Sequence, residues 1–337
     1  MRAIAYRQPG PLDAADSLSD VTLDDPRPGP RDLLVRVRAV SVNPVDTKVR
    51  RNTAPPAGEW KVLGWDAAGT VEAVGEAVRN FRVGDKVFYA GDLTRQGSNA
   101  ELQAVDERIV GHMPGSLDFA QAAALPLTAI TAWEALFDRL DVRRAVPGGA
   151  RALLVIGGAG GVGSIAIQLA RQLTDLTVIA TASRPQTRDW VRRMGAHHVV
   201  DHGEALAPQL QALQLGQPSF VFSTTQTHRH LADVAALIAP QGRFALIDDP
   251  QQLDISPFKR KSVSTHWEFM YTRSMFATPD IDEQGRLLDE VSRLVDAGKL
   301  LSTLHTRLSP IDAATLRQAH AMTESGSNIG KIAIEGF

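Results

Sequence analysis

Apolar and polar positions change period along the chain, and the change divides it into parts. In residues 33–40 (LLVRVRAV), Val35, Val37 and Ala39 alternate with Arg36 and Arg38, the period-two pattern of a half-buried strand. Residues 67–75 (AAGTVEAVG) and 83–91 (VGDKVFYAG) read as further short strands punctuated by glycine, with a turn at Gly84-Asp85. Pro26, Pro28 and Pro30 favour an extended connection before the first of them. Near residue 118 the pattern becomes helical. SLDFAQAAALPLTAITAWEALFDRL offers Ser116 as an N-cap, and Pro126 splits the run into two helices. VPGGAR (146–151) reads as a turn. Beyond it, strands at 152–157, 176–182, 198–201, 219–223 and 243–248 alternate with helices at 162–173, 186–194, 204–213 and 229–239. That spacing predicts a parallel sheet with helices on both faces, an α/β fold behind a β-rich first part. An amphipathic helix over 281–298 stops at Gly298, and GKIAIEGF closes the chain as a short strand.

Composition narrows the function classes. A length of 337 residues suggests about two domains, and 44% apolar residues suffice for a substantial core. A formal net charge of -2 supplies no field to hold nucleic acid or an anionic membrane. The one compact basic cluster, Lys259-Arg260-Lys261, reads as a solvated turn or helix end. With no cysteine, disulfides, Cys-ligated zinc, iron–sulfur clusters and thiol nucleophiles are excluded. MRAIAYRQPGPLD lacks the apolar stretch of a secretory signal, and no apolar run reaches the roughly 18 residues of a membrane span. The expectation is a cytoplasmic protein.

The strongest chemical signal is Gly158-Ala159-Gly160-Gly161-Val162-Gly163, a G-x-G-x-x-G between a strand and a helix, with a second strand following. In that context the first glycine serves a tight turn. The second lets backbone approach a pyrophosphate, and the third lets the helix pack on the strand. Helix N–H groups then face the anion. An NAD-type site carries an acid roughly 20 residues on. Here no acid appears before Asp189, and Ser183 and Arg184 follow the second strand. A hydroxyl and a guanidinium suit a 2′-phosphate, so NADPH is the expected cofactor.

These features together resemble the medium-chain dehydrogenase/reductase superfamily. SVNPVDTKVR, LGWDAAGTVEAVG and AGGVGSIAIQLAR are similar to its quinone oxidoreductase branch, and FALIDDP, ISPFKRKS and HWEFMYTRSMF to the zinc-type alcohol dehydrogenase-like subgroup. The resemblance implies a GroES-like β-barrel catalytic domain (1–128 and 272–337), a Rossmann domain (129–271), an active site between them, and a homodimer. It places the metal-ligand positions of zinc-using members at Asn43, Trp65 and near Leu127, none of which suits a metal; Asp46 and Asp66 are nearby carboxylates. The Cys-rich structural-zinc lobe is missing. His197-His198 does not compensate, since neighbours on a strand face opposite sides. No zinc is expected.

Zinc-free relatives imply an NADPH-dependent reductase of quinones or α,β-unsaturated carbonyls, small electrophiles that accept hydride without a Lewis acid. The candidates for catalysis are Asn43, Asp46 and Tyr89. Asn43 and Asp46 equally suit a turn beside Pro44, and Tyr89 a half-buried strand. The resemblance adds Thr131 beside the nicotinamide, and His202 and Lys331 toward the cofactor phosphates. Trp65, Trp267, Phe269 and Met270 are candidate walls for a flat substrate, or core residues. Two alternatives stand beside this reading: a zinc-dependent alcohol dehydrogenase and a non-catalytic NADPH-binding protein.

Overall fold

Strand Asp32–Val42 organises the first part of the fold. It pairs antiparallel with Ala67–Val74, Leu102–Asp106 and Lys331–Glu335. Lys86–Tyr89 and Val110–His112 continue the sheet on one side, and Leu304–Leu308 lies parallel to the last strand on the other. A three-stranded sheet of Ser19–Thr22, Arg2–Tyr6 and Lys61–Val62 completes the β-rich part. The predicted alternation is present: Val35, Val37 and Ala39 are buried and Arg38 is exposed. The register sets Ile332 opposite Val42, so Lys331 arrives beside the residue that follows the long strand.

The structure, a computed structural model, describes residues 1–14 and 16–337. By its contacts the chain forms two compact units, Met1–Ile130 with Tyr271–Phe337, and Thr131–Met270. The second unit is a six-stranded parallel sheet. Numbered from Ala150–Ile156 as the first strand, its order is 3-2-1-4-5-6, the doubly wound order of a dinucleotide-binding fold. Leu154, Ile179, Val221 and Phe244 form one cross-strand row in a buried cluster on one face, and Leu153, Val155, Val178 and Phe222, which point to the other face, are buried as well.

Several boundaries differ from the sequence reading. Ala150 and Arg151 belong to the first strand rather than to a turn. Ser116 is not the N-cap. The helix is Phe119–Ala123, and Asp118 caps it by accepting from the Gln121 N–H, while the Ser116 N–H donates to Asp296. A carboxylate two residues nearer the helix is the better acceptor for its first turn. The sixth strand, Ser264–Trp267, is short and half-exposed, without the apolar run that marks the others. No helix among the described residues is long and apolar enough to cross a membrane.

Helix Pro126–Trp133 runs on into a wider π turn, Glu134–Arg139. Glu134 is buried there with Glu268, which follows the sixth strand, and Arg139 donates to Glu268 at 2.8 Å. Burial raises the Glu268 carboxyl well above its ordinary range, and the adjacent Glu134 carboxyl raises it further. The pair therefore retains a proton that the unfolded chain releases. Such a group contributes stability at low pH that is lost as pH rises toward the raised value. Thermal unfolding followed at pH 6 and pH 9 should show a fall in Tm for the native protein. Glu268→Gln, which keeps a hydrogen-bonding amide without an ionisable proton, should flatten that fall by at least about 2 °C. Equal slopes would show that the pair does not hold the proton.

Candidate active site

The glycine loop leaves the first parallel strand at the point where strand order reverses, where α/β sheets bind ligands. Its glycines serve different purposes. Gly157, one residue before the motif, has φ +79°, and a Cβ there would meet Thr224 Oγ1 at 2.4 Å. It makes the tight turn that the sequence reading gave to Gly158. A Cβ on Gly158 would press on Ala180 Cβ at 2.9 Å, and one on Gly163 would strike the Gly157 carbonyl at 2.4 Å. Gly160 differs: a Cβ would meet only the Gly157 oxygen, at an ordinary 3.6 Å. The fold does not require glycine there, whereas close approach of an outside group does. Helix Gly161–Leu173 starts at Gly160 with no side-chain cap, so the N–H groups of its first turn, including Gly161 and Val162, are available to an anion. The loop thus fits a dinucleotide pyrophosphate.

Thr181, missed from sequence, braces this loop. Its hydroxyl accepts from the Gly157 N–H at 3.0 Å and lies 3.0 Å from His202 Nδ1. Burial, with Arg184 nearby, holds the His202 imidazole below its ordinary range. Ser183 is half-buried and Arg184 exposed at the end of the second parallel strand, and the Arg184 N–H donates to Thr187 Oγ1 at 3.1 Å. Thr131 is buried in the helix that enters this unit. Trp267 and Phe269 are 53% and 48% exposed, whereas Met270 is buried.

In the first unit the structure gathers Asn43, Asp46, Asp66 and Lys331, all buried. Asn43 precedes helix Pro44–Asn52, and Asp46 in its first turn accepts from the Asn43 N–H at 2.8 Å and the Gly64 N–H at 3.0 Å. Asp66 accepts from Asn43 Nδ2 at 2.7 Å, Lys331 Nζ at 3.0 Å and the Leu127 N–H at 2.7 Å. Lys331 also donates to the Val42 carbonyl at 2.9 Å and to Asn43 Oδ1. All three ammonium protons are engaged. Both ends of the Asn43 amide are engaged too, its nitrogen also lying 3.3 Å from the Trp65 carbonyl. Burial pushes the Asp46 carboxyl up to about 7 and raises Asp66, while Lys331 and the N–H donors pull both back.

This donor set does not fit zinc. The first metal-ligand position is an amide facing an ammonium, the second is Trp65, and the third, Leu127, offers Asp66 a backbone N–H. Among the described residues no group of three or more His, Asp or Glu side chains could hold a metal. Trp65 is fully buried, edge-on to Tyr271 at 6.5 Å. Tyr89, at the end of its strand, is buried with its hydroxyl unpartnered among the described residues.

Removing Lys331 would leave buried carboxylates without their cation. Lys331→Met should lower unfolding stability by about 3–5 kcal/mol in urea titrations near pH 8. The Asp66 carboxyl, already raised by burial with the cation present, rises further without it, so more of the stability present at low pH is lost as pH rises. The deficit should therefore be smaller at pH 5, and adding Asp66→Asn should recover part of it. A pH-independent deficit, or no recovery, would show that the ion pair is not what holds these segments.

The first part of the sequence, residues 29–132, matches the alcohol dehydrogenase GroES-like domain, and residues 161–283 match the zinc-binding dehydrogenase domain. The chain is 38% identical over 336 residues to a zinc-type alcohol dehydrogenase-like protein of Staphylococcus aureus (strain MSSA476), covering 99% of each. It is similar to the crystal structure of a candidate zinc-dependent alcohol dehydrogenase from Rhizobium etli CFN 42, with 63% identity, a TM-score of 0.99, and coverage of 100% of this chain and 98% of that one. The quinone oxidoreductase of Coxiella burnetii superposes with a TM-score of 0.81 at 26% identity, over 100% of this chain and 99% of that one. With this likeness running through both units, the chain belongs to the medium-chain dehydrogenase/reductase superfamily, in its zinc-type alcohol dehydrogenase-like group.

Proposed function

We propose that the protein is an NADPH-dependent reductase that transfers hydride to a quinone or an α,β-unsaturated carbonyl without a catalytic metal. The observation that carries the reading is the Asn43–Asp66–Lys331 cluster, which fills the family's metal-binding turn with a self-satisfied ion pair. A simple ketone or alcohol needs strong polarisation, which an ammonium with three engaged protons does not provide. A quinone or enone is already electron-poor. It needs orientation and a hydrogen-bond donor for the oxyanion that develops. The name of the Coxiella burnetii relative agrees with this chemistry.

The dinucleotide would be held by the loop from Gly157 to Gly163, with Ser183, Arg184 and His202 toward the 2′-phosphate; when bound it supplies the hydride. Asn43 and Asp46 serve as positioning residues, since their polar atoms are engaged with the protein. Tyr89 is assigned as the donor to the acceptor oxygen. Burial raises its phenol far above the ordinary range, so it remains an O–H donor through neutral and mildly alkaline pH.

Three measurements test this reading. Purified protein should oxidise NADPH with quinones or enones at a rate unchanged by chelator. Chelator-sensitive alcohol oxidation, or NADPH binding without turnover on any acceptor, would overturn the reading. Arg184→Ala should weaken NADPH about tenfold and leave NADH within about twofold, read by cofactor fluorescence; equal losses would remove the 2′-phosphate assignment. Tyr89→Phe should raise Tm, because an unpaired buried hydroxyl is removed, yet lower kcat about tenfold or more. A more stable variant with full activity would leave Tyr89 without a chemical role.

A further inference from the structure

Two histidines of the second unit meet where the cofactor reading places the ribose phosphate. His202 follows strand His198–Val200, and His230 is the fourth residue of helix Thr227–Leu237. Their ring centroids are 6.3 Å apart at an interplanar angle of 63°, and the Arg184 charge acts on His202. The two rings differ in what they can do. The Thr181 hydroxyl accepts from the Gly157 N–H, and its own proton has no acceptor among the described residues other than His202 Nδ1 at 3.0 Å. That bond assigns the His202 ring proton to Nε2 and opposes a second proton at Nδ1. His230 is half-buried, and neither of its ring nitrogens has a hydrogen-bond partner among the described residues. The nearby carboxylates are bonded elsewhere. Asp233 accepts from the Leu206 N–H at 3.0 Å, and Asp201 accepts from the Gly203 N–H at 2.8 Å and pairs with Arg188 at 3.6 Å. Burial, then His202, Arg229 and His228, hold the His230 imidazole below its ordinary range, against the pull of Asp233.

We infer that His230 is a further cofactor-selecting residue, which takes up a proton as the 2′-phosphate of NADPH settles beside Arg184 and His202. The inference rests on the 2′-phosphate reading given above and adds to it a residue and a pH dependence. A phosphomonoester is mostly dianionic above about pH 6 and favours the charged form of an adjacent imidazole. In the free protein His230 is neutral near pH 7, and in the complex its pKa is raised. Between the two values binding takes up a proton, so affinity for NADPH falls as pH rises, and above the raised value the gain is lost. NADH lacks that phosphate, so it leaves His230 neutral and its affinity level across the same range.

Isothermal titration of the full chain with NADPH and NADH at about pH 6.5 and pH 8.5 tests it, with runs near pH 7 in two buffers of different protonation enthalpy. From the lower to the higher pH the native protein should lose about tenfold in NADPH affinity and less than about twofold in NADH affinity. NADPH binding near pH 7 should carry a net proton uptake, and NADH binding none. His230→Gln should weaken NADPH about fivefold at the lower pH and match the native protein within about twofold at the higher, a split that loss of packing alone would not make. Proton uptake is read on the native protein, so it gives an answer even if the variant fails to fold. Absence of uptake, or an unchanged pH slope in His230→Gln, would overturn this inference, while an NADPH preference abolished by Arg184→Ala would leave the 2′-phosphate reading standing. Equal affinity for NADPH and NADH at both pH values would overturn that reading, and this inference with it.

Discussion

The Lys331 ammonium is the constraint on which the first unit's chemistry depends. Two buried carboxylates within one hydrogen-bonded network are untenable without a cation and several N–H donors. Lys331 supplies the charge, and Asn43, Gly64 and Leu127 supply backbone or amide N–H groups. Each partner comes from a different stretch of chain: the end of the long strand, the turn before Ala67–Val74, the start of helix Pro126–Trp133, and the final strand. The cluster therefore fixes the termini of those elements relative to one another. Its cost is chemical, because the side chains held this way have no donor left for a substrate.

That saturation separates this chain from the metal chemistry in its relatives' names. A zinc ion polarises an oxygen by offering an open coordination position. An ammonium reaching that turn from the final strand offers charge but no position, and its field is largely cancelled by Asp66 at 3.0 Å. Family membership describes the scaffold, and function follows from the site grafted onto it. An amide, an indole and a backbone N–H in those positions leave that turn without a metal-ligand set.

How much of this was legible follows from how local each signal is. The change from period two to strand–helix alternation gave both parts of the fold, because apolar faces repeat within a few residues. Ser264–Trp267 was missed since an edge strand carries little apolar signal. Asn43 and Asp46 stood out as polar residues around Pro44, but their roles did not, since Asn43 meets a lysine 288 residues further along and Asp46 accepts from Gly64, 18 residues on. That contact is created by the register Ile332–Val42, which no local pattern encodes. The sequence reading sent Lys331 toward cofactor phosphates; the structure engages all three of its protons inside the first unit. Gly157 and Thr181 were legible only in part. A glycine directly before the motif was visible, but the Thr224 side chain that a Cβ there would strike comes from just past a distant strand.

The nucleotide loop shows why a motif and its physical reason are separate arguments. Gly157, Gly158 and Gly163 are each required by the protein's own packing, so on their own they would be equally at home in a loop that binds nothing. Gly160 is the exception. Its φ of -73° suits any residue, and a side chain there would meet no close neighbour. Neither strain nor crowding accounts for glycine at that position, and the helix starting beside it is uncapped. A group approaching the backbone from outside accounts for both: it needs the space a Cβ would take, and it is the anion that the helix N–H groups lack. The assignment of a phosphate-bearing cofactor therefore rests more on Gly160 and the bare helix end than on the count of glycines.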